Sequence, residues 1–243
     1  MTPDTADTVF FPGAGSFGSE FQLLVDELKP TAWVVRYPGR LGRDFGVPAE
    51  SFDAVVRACA EQISRRSPDR PVLFGHSFGA YVAYATALKL QADGAEIAAL
   101  MVVGADAPHR LQVSALATGT PADAGRYLDQ VDPGALAKAP SDDWREIVLE
   151  TTVQDLRLLK QFDASAGRRL RCPILAARGD ADPLTSAAGA GEWQRCTDGQ
   201  FSLHSLPGGH SDFLRSGTRA SLIRQIREID QSSAPVSIQE HRP

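Results

Sequence analysis

The chain has 243 residues, 43% of them hydrophobic and 23% charged, with a formal net charge of −5. That length can bury one sizeable α/β core. An acidic balance with no basic stripe argues against nucleic acid as a partner, and no apolar run reaches the roughly 18 residues that span a bilayer, so no membrane is expected either.

The opening MTPDTAD has no basic n-region and no apolar h-region and is not expected to be a signal peptide. Cys59, Cys172 and Cys196 are widely spaced and odd in number. They show no metal-ligand spacing, and the simplest account is a cytoplasmic chain whose reduced thiols fill buried or half-buried sites. No metal and no cofactor is expected, and the chain is expected to be a monomer.

In chain order, TVFF (8–11) is a strand-like run stopped by Pro12-Gly13, AWVVRY (32–37) is stopped by Pro38-Gly39, and PVLF (71–74) runs into Gly75. ALMVVG (99–104), CPILAARG (172–179) and FSLHSLPGG (201–209) complete the series. Several are unbroken apolar runs, as strands covered on both faces are. Helix-period segments lie at 21–28, 52–64, 78–91 and 222–229. The alternation predicts a mostly parallel sheet flanked by helices. Residues of about 110–162 break the rhythm with helix-like pieces such as DWREIVLETTVQDLRLLKQF and no strand. A helical insertion at one end of such a sheet reads as a lid, with a segment that merely covers core as the alternative. Leu149, Val153, Leu156 and Leu159 recur there at three- and four-residue spacing and would face the mouth of a pocket. One domain is expected over 1–243, with the insertion at about 110–162 and a frayed polar tail at 231–243.

Gly75-His76-Ser77-Phe78-Gly79 fits G-x-S-x-G between a strand and a helix. In a nucleophile elbow that turn lifts the serine hydroxyl out of the sheet, and glycines are needed where side chains would collide. A serine hydroxyl requires a base, and in this arrangement the order is Ser, acid, His. Of five histidines, His210 follows PGG at the end of the last strand, where the loop can swing the imidazole over the sheet. His76 reads as packed within the elbow, His109 as opening the insertion, His204 as a strand residue, and His241 lies in the tail. For the acid, GDADP offers Asp180 and Asp182, and Asp106 ends the strand before. Asp182 lies far enough out to curl towards His210, Asp180 reads as a turn residue, and Asp106 remains the main alternative. The oxyanion donors are expected to be the Phe78 amide and an amide of the loop FPGAGSFGS, Gly13 or Ala14, with Ala14 preferred. That loop lacks G-x-G-x-x-G, so a dinucleotide site is disfavoured.

FFPGAGS, YPGRLGR, GHSFGAYVAY, GADAPH, GDADP and PGGHSDFL, in this order over about 10–214, resemble the type II thioesterases of polyketide and nonribosomal peptide pathways. The resemblance implies an α/β-hydrolase fold with a helical lid and hydrolysis of acyl thioesters on the phosphopantetheine arm of acyl or peptidyl carrier proteins, clearing stalled chains. It carries Ser77 over as nucleophile, Asp182 as acid and His210 as base. The chain departs from the family pattern where Pro12-Gly13-Ala14-Gly15-Ser16 replaces Pro-His-Ala-Gly-Gly. Phe78 replaces methionine, which would narrow the acyl site, and Ser211 replaces phenylalanine. PGR (38–40) matches well and reads locally as a turn with a surface arginine. The competing readings are an esterase or product-releasing thioesterase on free small acyl compounds, and a catalytically silent binding protein on the same scaffold.

Overall fold

A computed structural model of the chain describes residues 7–163 and 167–232. Six strands form one sheet: β1 (Thr8–Phe11), β2 (Ala32–Val34), β3 (Val72–His76), β4 (Ala99–Val103), β5 (Ile174–Gly179) and β6 (Phe201–Leu206). Their spatial order is β2-β1-β3-β4-β5-β6 and every pairing is parallel. The unbroken apolar runs TVFF, VLFGH and ALMVV are the fully buried inner strands β1, β3 and β4. FSLHSL, which mixes polar and apolar residues, forms the partly exposed edge strand β6. Parallel strands need crossovers on the sheet faces, so inner strands meet apolar neighbours on both sides.

Among the described residues, seven α-helices accompany the sheet: α1 (Gln22–Leu28), α2 (Phe52–Arg66), α3 (Phe78–Ala92), α4 (Pro121–Val131), α5 (Asp142–Leu159), α6 (Ala187–Gly191) and α7 (Ser216–Ser232). Alternation along the strands sorts the core into two layers. Val9, Phe11, Leu73, Leu100 and Val102 face α2, α3 and α5. Phe10, Phe74, Met101 and Val103 face α1 and α7 through Phe21, Leu24, Leu222, Ile223 and Ile226. Each fully buried side chain of this kind contributes roughly 1.5–3 kcal/mol. α3 is apolar nearly all round because it lies between the sheet and other helices. The ends of α2, α4 and α5 are set by Ser51, Thr120 and Ser141, whose hydroxyls accept amide hydrogens of the first turn. Thr120 and Asp123 form a reciprocal capping box.

Among the described residues, the segment between β4 and β5 contains α4, α5 and short 3₁₀ turns but no strand, as the broken rhythm of the sequence implies. The expected strand at 32–37 is shorter, ending at Val34, and the last helix is longer than 222–229. α6 and the 3₁₀ turn after it are additions that the small residues AAGAG did not signal. The tail assigned to 231–243 overlaps the end of α7; from residue 233 it lies outside the described residues. Cys59, Cys172 and Cys196 are free and buried. Among the described residues, no helix is long and apolar enough to cross a membrane.

The chain runs from β1 to β2 on one side and then to β3 on the other. Such a reversal opens a crevice at the carboxyl ends of β1 and β3, where ligands bind in open α/β sheets. There α3 approaches β1 so closely that a Cβ on Gly79 would lie 2.1 Å from the Phe11 carbonyl oxygen and 2.5 Å from that of Pro12. Gly79→Ala is therefore expected to push α3 from β1, at a cost of about 1–3 kcal/mol. Thermal unfolding should show a midpoint lowered by roughly 3–10 °C.

Candidate active site

β3 carries the chain to the crevice and Ser77 turns it into α3. Ser77 has φ 54° and ψ −121°, outside the ordinary regions for an L-residue, a conformation that costs about 1–3 kcal/mol and persists only where the surroundings impose it. The surroundings are specific. The Ser77 amide donates to the Val103 carbonyl (2.8 Å), extending the β3–β4 ladder, and its carbonyl accepts from the Ala80 amide (2.9 Å), closing the first turn of α3. Any side chain at Gly75 would strike that turn, at 2.4 Å from the Gly79 carbonyl oxygen.

His210 lies on the loop after β6. Its Nδ1–H donates to Asp182 Oδ2 at 3.0 Å, with the carboxylate fully buried and the imidazole nearly so. Asp182 also accepts the Leu184 amide (2.8 Å) and the Thr185 hydroxyl (3.0 Å), so both oxygens are fixed. The His210 ring packs on His76, the residue before Ser77, with ring centroids 4.8 Å apart. His76 Nε2–H donates to the His210 carbonyl (3.2 Å) and its other side packs on Phe213 (4.7 Å). The elbow thus holds the histidine loop through its own histidine.

The other candidates are placed elsewhere. Asp180 accepts the Gly208 amide (2.8 Å) and shapes the histidine loop from outside. Asp106 accepts the Ser186 amide (3.1 Å) and lines the crevice without pairing to His210. Burial raises its carboxyl above the ordinary range; the Ser186 amide opposes the rise and the Asp182 charge adds to it. His109 pairs with Glu192 (3.0 Å), His204 Nδ1 accepts from Gln225 (3.3 Å), and His241 lies outside the described residues.

After β1 the loop from Pro12 to Phe17 is held on several sides. The Tyr37 hydroxyl donates to the Pro12 carbonyl (2.9 Å), the Gly15 amide to Asp155 Oδ2 (2.8 Å), and the Ser16 amide to the Gly13 carbonyl (3.2 Å). The Ser16 hydroxyl donates to Glu20 (2.5 Å), whose buried carboxylate the Gly13 amide also attracts. The Gly15 and Ser16 amides are thus engaged within the protein, and Ala14 lies between Gly13 and Gly15 in this turn. Phe78 is the first residue of α3, where helical amides have no partner within the helix. Its side chain is buried edge-on against Tyr37 (5.7 Å) and Phe52 (6.3 Å), and the residue lines the crevice next to Ser77.

The crevice has a volume of about 360 Å³ and is lined by Ser77, Tyr81, Tyr127, Leu156 and Leu159 among others. The last three come from the segment between β4 and β5. Val153 is buried, and Leu149 packs instead towards α4, where a Cβ on Gly125 would lie 3.7 Å from it. Two residues that carried no expected site role stand out. Arg40 of PGR is 7% exposed, not the surface arginine its turn suggested. It is paired with buried Asp155 of α5. The only hint of Asp155 in the sequence is an acid amid the apolar positions of TTVQDLRLL.

Residues 8–229 match the thioesterase domain family. The chain belongs to that family. It is 32% identical over 216 residues to the thioesterase PikA5 of Streptomyces venezuelae, covering 83% of this chain and 73% of that one. A probable cadicidin biosynthesis thioesterase of Streptomyces griseus is 27% identical over 209 residues, covering 85% of this chain but only 58% of its own length. Among solved structures, the type II thioesterase BorB of the borrelidin biosynthetic cluster superposes with a TM-score of 0.83 at 28% identity, covering 93% of each chain. With such neighbours, the parallel sheet and helical excursion make this thioesterase-family chain an α/β-hydrolase fold.

The electrostatics of these residues follow from their burial. Desolvation would raise the Asp182 carboxyl. The hydrogen bonds and charge of His210, with the Leu184 amide and Thr185 hydroxyl, outweigh it and hold the group below the ordinary value. For His76, burial and then the neighbouring His210 push the ring down to about 3, so it is neutral at ordinary pH. The unfolded chain keeps the ordinary value of 6.5. Between these values the unfolded state binds the extra proton, so the stability conferred by a neutral His76 is complete above about 6.5 and is lost as pH falls towards 3. His76→Gln keeps a neutral donor and removes that titration. Chemical denaturation across this window should show a shallower acid-side loss than wild type, by on the order of 1 kcal/mol per pH unit.

Proposed function

We propose that this chain is a discrete editing thioesterase. It hydrolyses acyl groups from the phosphopantetheine arm of acyl or peptidyl carrier proteins and so clears stalled or aberrant chains in a polyketide or nonribosomal peptide pathway. The observation that carries the reading is the strained Ser77 at the mouth of a large, partly apolar crevice, beside a buried His210–Asp182 pair. Two of the relatives named above support the substrate class, since one is a probable cadicidin biosynthesis thioesterase and BorB is a type II thioesterase of the borrelidin biosynthetic cluster.

In this mechanism Ser77 Oγ attacks the thioester carbonyl carbon while His210 Nε2 takes the hydroxyl proton. Asp182 fixes the tautomer through Nδ1–H and stabilises the imidazolium. The carbonyl oxygen becomes an oxyanion and accepts from the Phe78 and Ala14 amides, which the fold holds in place before reaction begins. The C–S bond then breaks, His210 returns the proton to the departing thiol, and an acyl-enzyme remains on Ser77. Water, deprotonated by the same imidazole, attacks that ester; the second oxyanion collapses, the C–Oγ bond breaks, and His210 returns the proton to Ser77 Oγ as the free acid leaves.

α4, α5 and the turns between β4 and β5 serve as a lid in this reading. Leu156 and Leu159 present apolar surface to the acyl chain beside Tyr81 and Tyr127. A long thin arm needs a narrow entrance, and admitting it requires lid motion, which in enzymes commonly takes microseconds to milliseconds.

Ser77→Ala is expected to lower hydrolysis of an acyl-carrier thioester by about 10⁴- to 10⁶-fold without lowering the melting temperature. Turnover near wild type would remove Ser77 from the mechanism. Acyl-carrier thioesters should also be hydrolysed in preference to simple oxyesters of the same acyl group; the reverse preference favours an esterase acting on free compounds. For the lid, Leu156→Ala is expected to change the ranking of acyl chain lengths measured on carrier proteins. A variant with a lower melting temperature and an unchanged ranking would make that face ordinary core.

A further inference from the structure

The charged pair between Arg40 and Asp155 joins segments 115 residues apart, Arg40 Nη2 lying 2.5 Å from Asp155 Oδ2. Both side chains are more than nine-tenths buried. The same oxygen, Oδ2, accepts the Gly15 amide at 2.8 Å. One carboxylate oxygen of the lid helix therefore joins the PGR turn after β2 to the loop after β1, which carries the Ala14 amide.

The contact is wider than one hydrogen bond. Trp144, Val148, Thr152 and Asp155 lie along one stripe of α5, and all four meet the loop. Phe17 packs on Trp144 with ring centroids 4.7 Å apart. A Cβ on Gly15 would lie 2.0 Å from Thr152 Oγ1 and 3.0 Å from the Val148 carbonyl oxygen. Gly15 has φ 74°, so the loop reaches this seat only with glycine there. The Arg40 guanidinium lies 5.3 Å from the Phe17 ring and 5.8 Å from the Tyr37 ring, and the Tyr37 hydroxyl holds Pro12.

Stability alone does not account for such a pair. Burial raises the Asp155 carboxyl, and Arg40 and the Gly15 amide only partly reverse the rise. Arg40 Nε is buried with no hydrogen-bond partner among the described residues. Apolar residues of similar volume commonly replace buried ion pairs at no loss of stability. What they cannot supply is an acceptor for Gly15 N–H at a fixed point.

We propose that Arg40 and Asp155 are positioning residues for hydrolysis: together they fix the Gly13–Gly15 turn so that the Ala14 amide meets the developing oxyanion. This rests on the thioesterase mechanism proposed above. Arg40 orients the carboxylate, and the carboxylate holds Gly15. The lid helix whose Leu156 and Leu159 line the acyl crevice thereby also sets the oxyanion loop.

Two double variants test it. R40M/D155L fills the space with apolar side chains and gives Gly15 no acceptor. R40Q/D155N is neutral and keeps an oxygen for Gly15 with a donor to orient it. The measurements are kcat and KM on an acyl-carrier thioester, and inhibition by an acyl trifluoromethyl ketone, whose adduct with Ser77 places an oxyanion at the same amides. R40M/D155L is expected to lose about 10- to 100-fold in kcat, less than the loss from deleting a donor outright, with KM within about threefold. Trifluoromethyl ketone affinity should fall by a similar factor. R40Q/D155N should stay within about threefold of wild type. Wild-type kcat in R40M/D155L, a change in KM alone, or equal losses in both variants would overturn the proposal. If R40M/D155L does not fold, R40Q/D155N decides: a tenfold loss in kcat overturns the proposal, and near-wild-type kcat and inhibitor affinity support it. Ser77→Ala run alongside separates the two claims, because an active Ser77→Ala enzyme would sink the mechanism itself, whereas an inactive one with a fully active R40M/D155L sinks only the positioning role.

Discussion

The close approach of two backbones governs this molecule. Gly79 of α3 sits against the carbonyl groups of Phe11 and Pro12, with no room for a methyl group, and two residues earlier Ser77 is held at φ 54°. The two facts share a cause. β1 and β3 are neighbours in the sheet, and the chain must leave β3 sharply enough for α3 to cover it. The strain at Ser77 is sustained by the ladder bond to Val103, the first turn of α3 and the apolar packing of Phe78 on Tyr37 and Phe52. The same approach brings the start of the loop after β1, at Pro12, against the first turn of α3 that follows Ser77.

Around that crevice the protein keeps several ionisable groups out of water, and each is constrained by hydrogen bonds. Asp182 has three donors on its two oxygens, which outweigh its burial and keep it a carboxylate. His76 has the opposite outcome: burial keeps it neutral, so it serves His210 as a hydrogen-bond donor and not as a second charge. Glu20 and Asp155 flank the loop after β1 and accept from its hydroxyl and amide groups. Rigid donors and acceptors in a low-dielectric site cost little reorganisation when charge develops, which is how such sites gain rate.

Much of this was legible in the sequence, for physical reasons. Short unbroken runs such as TVFF and ALMVV, bounded by turn residues, suit strands covered on both faces, and G-x-S-x-G between a strand and a helix marks a turn that tolerates no Cβ at its glycines. The choice of Asp182 over Asp106 turned on reach: GDADP carries the acid three residues beyond Gly179, and the structure puts it against His210, with Asp106 tied to Ser186 instead. Arg40 was misjudged because a Pro-Gly turn reads locally as surface. Its burial depends on Asp155, which lies 115 residues further along the chain, and no local pattern conveys such a pairing. Phe78, expected to narrow the acyl site, lines the crevice while its ring packs edge-on against Tyr37 and Phe52. α6 was missed because AAGAG has neither length nor apolar periodicity, and its start is set by a serine cap and the contact with Asp106.

The most direct measurement is the mass of the enzyme caught during turnover. An acyl-carrier thioester is mixed with the enzyme, the reaction is quenched in acid within milliseconds, and peptides are mapped by mass spectrometry. The account predicts that the peptide containing Ser77 gains the mass of the acyl group and loses it again as free acid accumulates. Full turnover with no acyl group on that peptide at any time, or with the acyl group on another residue, would contradict it.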